Sequence, residues 1–313
     1  MITGRALRRL LLPPGELGHA SPELDPLGHT APRQVLVIAS NPRTGSNLLG
    51  STLAATGKAG APREYLLGKG GYVEWRRRIG APQPTLRGAV GMLKRRVLGD
   101  AGWSICYRWT PRSMRRYLAE MSALRTTSNG VFAVKVHAFQ ATNWFENYGI
   151  DIGQWDVPVR WVRIERDDRL AQAVSYAIAL QTNRWSSTAT VAATAPATAT
   201  ATAPATAAAA AIATPVYDVE AIEGALAHLQ AGREYWSSYF ARNGIEPLEL
   251  TYEGLVADRE SSVRSVLQLV GVEVEAIPPA PVERQASAIN AEWIARFTQD
   301  RPHLARGARG AAP

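Results

Sequence analysis

The sequence contains one cysteine, Cys106, and no long apolar run. A single cysteine rules out an intrachain disulfide and fits a reducing compartment, so we expect a cytoplasmic protein. No apolar stretch approaches the roughly 18 residues of a membrane-spanning helix, so we expect no integral membrane segment. The leucine run at 10–12 is shorter than the roughly 7–15 apolar residues of a secretory signal.

Lysine is also scarce. Four of the 35 lysine and arginine residues are lysines, so arginine supplies most of the positive charge in a chain of formal net charge +8. Arginine suits bidentate binding of phosphate or sulfate, although it also accumulates in some compositions without any ligand. A nucleic-acid-binding surface would show longer basic runs, interleaved with aromatic residues, than the clusters at 76–78 and 95–96. We therefore expect no nucleic-acid partner.

One segment, 187–215, consists almost wholly of Ala, Thr and Pro and carries no charge. It cannot bury enough apolar area to offset its ordering entropy, and its prolines would interrupt a long helix. We interpret it as a disordered insertion within one domain over 34–300. That domain is expected to lie between a flexible N-terminal extension, 1–33, and a flexible C-terminal tail, 301–313.

Outside these segments, apolar runs with strand character alternate with apolar residues at helical spacing. This alternation predicts an α/β fold, a parallel sheet flanked by helices on both faces in a single domain. The segment 68–110 is less clear and is expected to form helical pieces and a lid. The predicted strands are 34–39, 131–136, 159–164 and 247–251, and the predicted helices are 45–56, 111–125, 167–184, 217–243, 253–270 and 288–299.

The first strand and first helix are joined by Asn-Pro-Arg-Thr-Gly-Ser-Asn at 41–47. A loop at a helix N-terminus offers free backbone N–H groups and the positive end of the helix dipole to an anion. Gly45 permits the tight turn and Arg43 adds a fixed charge, while the remaining candidate donors are Thr44, Ser46 and Asn47. A capped helix without a ligand is the alternative.

This loop departs from the phosphate loop of nucleotide triphosphatases. That loop reads G-x-x-x-x-G-K-[ST], whereas Ser40 replaces its first glycine and Ser46 replaces its lysine. The third predicted strand also ends in Glu165-Arg166, without the strand-end aspartate that Mg²⁺-dependent phosphoryl transfer uses. The departures argue against a P-loop kinase or triphosphatase.

A second anion site is suggested by Arg166, at the carboxyl end of the third predicted strand, where ligands bind in open α/β sheets. Ser175 follows nine residues later on the predicted helix. Together they could hold a second phosphate. Spacing alone favours the alternative, in which Arg166 pairs with Asp167 or Asp168 and Ser175 is an ordinary helix residue.

Four motifs together resemble the bacterial Stf0-type sulfotransferases, the trehalose 2-sulfotransferase-like family. The resemblance covers 34–186 and 216–300, in the order of the family's motifs. It implies a P-loop-like α/β sulfotransferase domain, 3′-phosphoadenosine 5′-phosphosulfate (PAPS) as sulfuryl donor, no metal, and a hydroxyl of a carbohydrate, glycolipid or glycosylated metabolite as acceptor. The motifs are ASNPRTGSNLLGSTLAATGKAGAPREYL, GVFAVKVH, ERDDRLAQAVSYAIALQTNRW and VERQASAINAEWIARF.

The resemblance also implies a role for individual residues. The loop Arg43–Asn47 matches the site of the donor's 5′-phosphosulfate, although Asn47 stands where Ser or Thr is commoner. Arg166 and Ser175 match the pair that binds the 3′-phosphate. Arg284 and Gln285 match a C-terminal motif near the nucleotide. Finally, Glu64, in Pro-Arg-Glu-Tyr, matches the family's catalytic glutamate.

Lys135 and His137 offer a competing arrangement, because they alternate on one predicted strand and so point to the same face. A Lys-x-His there resembles the eukaryotic cytosolic sulfotransferases, whose histidine is the base. Glu64 and His137 therefore both remain candidates, with Glu64 favoured, and His137 can also be an ordinary polar residue at a strand end. Lys135 could contact the sulfuryl oxygens, and Arg43 could stabilise charge on the leaving group.

The main alternative to an enzyme is a non-catalytic protein that binds a nucleotide or polyanion on the same fold. Retention of Glu64 together with both phosphate sites favours the enzyme. Trp103, Trp109 and Trp185 could stack on a sugar ring, although a tryptophan taken singly is more often a core residue. The sequence leaves the acceptor and the oligomeric state open, a homodimer included.

Overall fold

The computed structural model describes residues 25, 30–67, 75, 79, 110–182, 185, 214–279 and 288–308. It contains a four-stranded sheet in the order β2-β1-β3-β4. Strands β3 and β4 pair in parallel, from Val162 opposite Leu248 to Glu165 opposite Thr251. All four predicted strands and the parallel α/β class are confirmed. The strands are β1 Gln34–Ser40, β2 Val131–His137, β3 Val159–Glu165 and β4 Leu248–Thr251.

The helices also follow the prediction, with one exception at 253–270. That segment forms two helices because the Asp258 side chain accepts a hydrogen bond from the Ser261 N–H and starts a new helix there. The helices are α1 Ser46–Ala55, α2 Pro111–Arg125, α3 Ala138–Ala141, α4 Arg169–Thr182, α5 Val219–Asn243, α6 Tyr252–Ala257, α7 Arg259–Leu269, α8 Ala288–Asp300 and α9 Pro302–Ala308.

The chain divides into two compact units. One comprises Met1–Val37 and Gly57–Arg160, and the other comprises Ile38–Thr56 and Trp161–Pro313. We call them the first and the second unit. The chain passes from one unit to the other three times, within β1, directly after α1 and within β3.

In the first unit, every residue of β2 is buried and α2 supplies apolar side chains at helical spacing. Pro111 occupies the first turn of α2, and the Thr110 hydroxyl accepts a hydrogen bond from the Ser113 N–H, which explains where the helix begins. The buried helix residues Met114, Tyr117, Leu118 and Met121 recur every three or four positions.

The segment 68–110 lies outside the described residues, except for Trp75, Ile79 and Thr110. Its predicted helical pieces and lid therefore stay predictions, as does the stacking of Trp103 and Trp109 on a sugar ring. Trp75 is buried, and its Nε1 donates to Glu120 at 2.6 Å.

The predicted N-terminal extension is ordered where it meets this unit. The Thr30 N–H donates to the Thr126 carbonyl at 3.3 Å, and the Arg33 N–H donates to the Gly130 carbonyl at 2.8 Å. The expectation of a flexible extension is therefore wrong for 30–33, because backbone hydrogen bonds fix this stretch. Apart from Asp25, the rest of 1–33 lies outside the described residues.

In the second unit, α4, α5, α8 and α9 enclose an apolar cluster that includes Leu170, Leu229, Trp293 and Phe297. Ala305 and Ala308 of α9 belong to the same cluster. The expected flexible tail is therefore wrong for Pro302–Ala308, since burying small apolar side chains against α8 and α4 offsets the entropy of ordering this stretch.

The Ala/Thr/Pro tract lies outside the described residues, apart from its last positions, 214 and 215. Its flanks are held together in the second unit by one side chain. Gln181 Nε2 donates to the Val216 carbonyl at 2.9 Å, and Gln181 Oε1 accepts the Val216 N–H at 2.8 Å. This reciprocal pair joins the end of α4 to the residues before α5.

We expect replacement of 187–215 by a short Gly/Ser linker to leave the melting temperature nearly unchanged, because the Gln181 pair holds the flanks of the tract together and the tract lacks core-forming side chains. The shift should stay below about 2–4 °C, which corresponds to roughly 1 kcal/mol in a domain of this size. Differential scanning calorimetry measures the shift in melting temperature. The control is Gln181→Met, which removes the two hydrogen bonds between Gln181 and Val216. A large drop for the linker variant would show that the tract packs against the fold.

Candidate active site

The loop after β1 turns the chain through two residues in the left-handed conformation. Arg43 has φ 68° and Gly45 has φ 78°, and α1 begins immediately afterwards at Ser46. A Cβ atom on Gly45 would lie 2.7 Å from Cδ2 of Tyr252, so both the conformation and the close approach require glycine there. The loop therefore has the tight turn at a helix N-terminus that the sequence predicts.

Helices α4 and α5 form hydrogen bonds with three consecutive residues, the last residue of β1 and the first two residues of the loop. Trp236 Nε1 donates to the Ser40 carbonyl at 3.0 Å, and Asn41 Nδ2 donates to the Leu229 carbonyl at 3.3 Å. Gln172 Nε2 donates to the Pro42 carbonyl at 2.7 Å. These bonds fix the loop before any ligand binds, which lowers the entropy cost of binding one.

A second buried side chain orients Gln172. Arg233 Nη1 donates to Gln172 Oε1 at 3.0 Å, so the amide must turn its nitrogen towards Pro42. Burial lowers the pKa of Arg233, and repulsion from Arg169 adds to this effect. Sequence reasoning missed Gln172 and Arg233, which look like ordinary helix residues in the sequence.

Arg43 is held by two hydrogen bonds within the second unit. Its Nε donates to Ser175 Oγ at 2.9 Å, and its Nη1 donates to the Trp185 carbonyl at 2.7 Å. Burial lowers the pKa of Arg43, and repulsion from Arg166 lowers it further. The structure thus brings together Arg43, Arg166 and Ser175, which the sequence assigns to two phosphate sites.

Arg166 lies directly after β3, and its guanidinium carbon lies 4.5 Å from the centre of the Tyr252 ring. Its Nε is 4.0 Å from Glu253 Oε1. The Glu253 carboxylate also accepts the Asp167 N–H at 3.1 Å and, less closely, the Asp168 N–H at 3.4 Å. The acidic neighbour of Arg166 is therefore Glu253, which the sequence did not indicate, rather than Asp167 or Asp168.

The smaller donors of the loop have different surroundings. The Thr44 hydroxyl donates to the Asn41 carbonyl at 3.0 Å, so this group stabilises the turn itself. Thr44 and Ser46 are buried, whereas Asn47 is exposed. The groups of the loop that could bind an anion therefore include the Arg43 guanidinium, the exposed Asn47 amide and the N-terminus of α1.

The first unit contains a separate charged cluster around Glu64. Lys135 Nζ lies 2.7 Å from Glu64 Oε1, and His137 Nε2 lies 3.5 Å from the same oxygen. Gln140 Nε2 donates to Glu64 Oε2 at 2.8 Å. Lys135 and His137 therefore share one face of β2, as their alternation predicts.

Backbone pairing carries Glu64 to this position. Arg63 forms a parallel bridge with Val134, and its carbonyl accepts the Lys135 N–H at 3.0 Å. The side chain of Glu64, the next residue, therefore contacts the side chain of Lys135. Lys135 and His137 are buried, whereas the Glu64 side chain keeps 18% of its surface exposed. A partly exposed carboxylate fixed by a buried ammonium can receive a proton from a hydroxyl group.

Several sequence-predicted features lie outside the described residues, notably Arg284 and Gln285. Trp185 is described, and its ring centre lies 6.0 Å from that of Tyr176. In the described ranges, no three His, Cys, Asp or Glu side chains are grouped so that they could hold a metal ion. None of the helices in that part of the chain is long and apolar enough to cross a membrane.

The chain is similar to known sulfotransferases. The sequence model of the Stf0 sulphotransferase family matches residues 35–300. A trehalose 2-sulfotransferase of Mycobacterium tuberculosis is 26% identical over 287 residues, which cover 88% of this chain and 97% of that protein. A trehalose 2-sulfotransferase of Mycolicibacterium smegmatis is 26% identical over 303 residues, which cover 86% of this chain and 96% of that protein.

Proposed function

Because the chain belongs to the Stf0 sulphotransferase family, we propose that it transfers a sulfuryl group from PAPS to a carbohydrate hydroxyl. The observation that carries the proposal is the grouping of Arg43, Arg166 and Ser175 beside the N-terminus of α1. Two like charges that repel each other are stabilised by a bound polyanion. PAPS presents two phosphate groups and a sulfate, which suit two guanidinium groups and a helix N-terminus.

Three separate stretches of the chain supply the proposed contacts with the donor. Arg43 and the loop through Asn47 bind the 5′-phosphosulfate, and Arg166 with Ser175 binds the 3′-phosphate. Arg284 and Gln285 complete the nucleotide site in this proposal. Arg43 stabilises the negative charge that develops on the phosphate oxygen as the sulfur–oxygen bond breaks.

In the proposed transfer, the acceptor oxygen attacks sulfur in line, a new oxygen–sulfur bond forms, and 3′-phosphoadenosine 5′-phosphate leaves. The acceptor proton passes to the carboxylate of Glu64. Lys135, at 2.7 Å from Glu64, stabilises the ionised carboxylate that can take this proton and is the candidate for contact with the sulfuryl oxygens. The proposal invokes no metal.

His137 remains the alternative base. Its Nε2 lies 3.5 Å from Glu64 Oε1, longer than the roughly 2.7–3.2 Å of the well-formed hydrogen bond by which a triad carboxylate orients its histidine. Glu64 is also the more exposed of the two side chains. Both observations support Glu64 as the base.

We propose a trehalose-type sugar as the acceptor, since the relatives are named trehalose 2-sulfotransferases. Incubation with ³⁵S-labelled PAPS and a panel of trehalose, other sugars, glycolipids and glycosylated metabolites tests the activity, with mass spectrometry to locate the sulfate. Tight binding of 3′-phosphoadenosine 5′-phosphate without transfer to any member would instead indicate a nucleotide-binding protein.

The donor assignment predicts a selective effect of Arg166→Ala. This variant should bind 3′-phosphoadenosine 5′-phosphate about 10–150-fold more weakly, which corresponds to roughly 1.5–3 kcal/mol for a hydrogen bond to a charged group. Binding of adenosine 5′-phosphate, which lacks the 3′-phosphate, should barely change. Isothermal titration calorimetry measures both affinities.

The control is Arg116→Ala, which removes an equal charge from an exposed i,i+4 ion pair with Glu120 in the first unit. It should change neither affinity appreciably. Equal losses for the two nucleotides in Arg166→Ala would contradict the assignment of Arg166 to the 3′-phosphate.

A further inference from the structure

Gln140 joins the Glu64 carboxylate to the end of β2. Its Nε2 donates to Glu64 Oε2 at 2.8 Å, and its Oε1 accepts the backbone N–H of His137 at 3.0 Å. The side chain is buried, with 1% of the residue exposed. Both ends of the amide are therefore engaged in a place that bulk water does not reach.

The backbone N–H fixes the orientation of this amide. An N–H group can only donate, so the amide oxygen must face His137 and the amide nitrogen must face Glu64. The amide nitrogen can in turn only donate, so Glu64 Oε2 must accept. This arrangement stabilises the ionised carboxylate and disfavours a proton on Oε2.

We propose that Gln140 is a positioning residue, which holds Glu64 in the ionised form and in the side-chain conformation that proton transfer needs. This inference rests on the proposed function, in which Glu64 is the base. Lys135 at 2.7 Å and His137 at 3.5 Å also face the carboxylate, but both approach Oε1 from β2. Gln140 contacts the other oxygen from α3, so it fixes the rotation of the carboxylate.

Gln140→Met tests this role, because methionine keeps the length of the side chain and removes both hydrogen bonds. We expect kcat to fall about 10–100-fold, in line with one lost hydrogen bond to a charged group. The Kd of 3′-phosphoadenosine 5′-phosphate should stay unchanged. The acidic limb of kcat/KM should move to higher pH, because the ionised form of Glu64 loses a donor.

The same substitution at a second buried glutamine is the matched control. Gln172 is completely buried and bonds to the Pro42 carbonyl rather than to Glu64. Gln172→Met should weaken binding of 3′-phosphoadenosine 5′-phosphate through a loosened loop, while the acidic limb stays where it is. Gln140→Met should thus move the acidic limb without changing the Kd, whereas Gln172→Met should raise the Kd without moving the acidic limb.

Gln140→Glu is the second variant, in case methionine prevents folding. Its carboxylate can still accept the His137 N–H, but it places a second acidic group beside Glu64. We expect the acidic limb to move further towards high pH than in Gln140→Met, since two adjacent carboxylates resist ionising together.

A measurement independent of turnover separates this inference from the proposed function. ¹³C NMR titration follows the Glu64 carboxyl, identified as the resonance missing in Glu64→Gln. Its titration midpoint should rise in Gln140→Met and rise further in Gln140→Glu. Unmoved midpoints in folded variants would overturn the role of Gln140, whatever the activity. If the midpoints move but the protein sulfates no acceptor, the result would support the contact between Gln140 and Glu64 and overturn the proposed function instead.

Discussion

Glu64→Gln is expected to lower kcat by about 10²–10⁴-fold, the usual contribution of a positioned general base. Glutamine has the shape of glutamate but cannot take a proton from the acceptor hydroxyl. The Kd of 3′-phosphoadenosine 5′-phosphate should stay near the wild-type value, because the proposed phosphate ligands are other residues. Steady-state kinetics with saturating donor, together with calorimetry, separate the two effects.

This substitution also removes the carboxylate partner of Lys135, whose side chain is buried. Removing one member of a buried ion pair destabilises a protein, so the melting temperature must be measured with the rate. The double variant Glu64→Gln/Lys135→Met leaves no isolated charge at that place. The double variant should regain stability but not turnover, since it also lacks the proposed contact of Lys135 with the sulfuryl oxygens. A Glu64→Gln variant that stays folded and yet turns over slowly would show that lost proton transfer is the cause.

His137→Ala is the companion variant. With Glu64 as the base, His137→Ala should lower kcat by about one order of magnitude, because the reacting groups are held less well in position. The decrease of kcat/KM at low pH should remain, since it then reports Glu64. The reverse result, in which His137→Ala abolishes turnover and Glu64→Gln does not, would assign the base to His137. The enzyme would then work like the eukaryotic cytosolic sulfotransferases that its Lys-x-His resembles.

Apolar patterning predicted the secondary structure well where an element is largely buried. Strands β1 and β2 are almost wholly buried, and their predominantly apolar sequences made both strands easy to predict. The break between α6 and α7 was missed because the apolar spacing continues across it. There a single capping side chain, Asp258, decides where one helix ends and the next begins.

Strand ends and a glycine-containing loop indicated most of the charged residues of the candidate site, whereas Glu64 and the pairing of Ser175 with Arg166 came from the resemblance to the Stf0 family. Arg43 and Ser175 are in contact, and Glu64 meets Lys135. The residues that support them were not predictable. Gln140 and Glu64 are 76 positions apart, and Gln172 and Pro42 are 130 apart. A hydrogen bond between distant positions leaves no periodic signal in the sequence.

Arg43 also adopts a conformation that the sequence did not indicate. Its φ of 68° is strained for a residue with a side chain, at a cost of about 1–2 kcal/mol. The hydrogen bonds to Ser175 and to the Trp185 carbonyl offset this cost. Such strain is typical of functional loops, because a glycine would meet the backbone requirement without supplying a guanidinium group.

Arg43→Gly therefore separates function from stability. Glycine adopts positive φ without penalty, and the substitution removes a buried charge that Arg166 repels. We expect the melting temperature of the ligand-free variant to match or exceed that of the wild type. We expect kcat to fall about 10²–10³-fold, as for other groups that stabilise transition-state charge.

Donor binding should weaken in the same variant. The Kd of 3′-phosphoadenosine 5′-phosphate should rise about 10–150-fold for one lost charge-assisted contact. At a fixed nucleotide concentration, the ligand-induced rise in melting temperature should shrink accordingly, because stabilisation follows RT ln(1 + [L]/Kd). Arg43→Lys keeps the positive charge but loses the planar guanidinium group that can donate two parallel hydrogen bonds. Its Kd for 3′-phosphoadenosine 5′-phosphate should therefore lie between those of the glycine variant and the wild type. A glycine variant that melts lower yet turns over normally would mean that Arg43 stabilises the fold and takes no part in sulfuryl transfer.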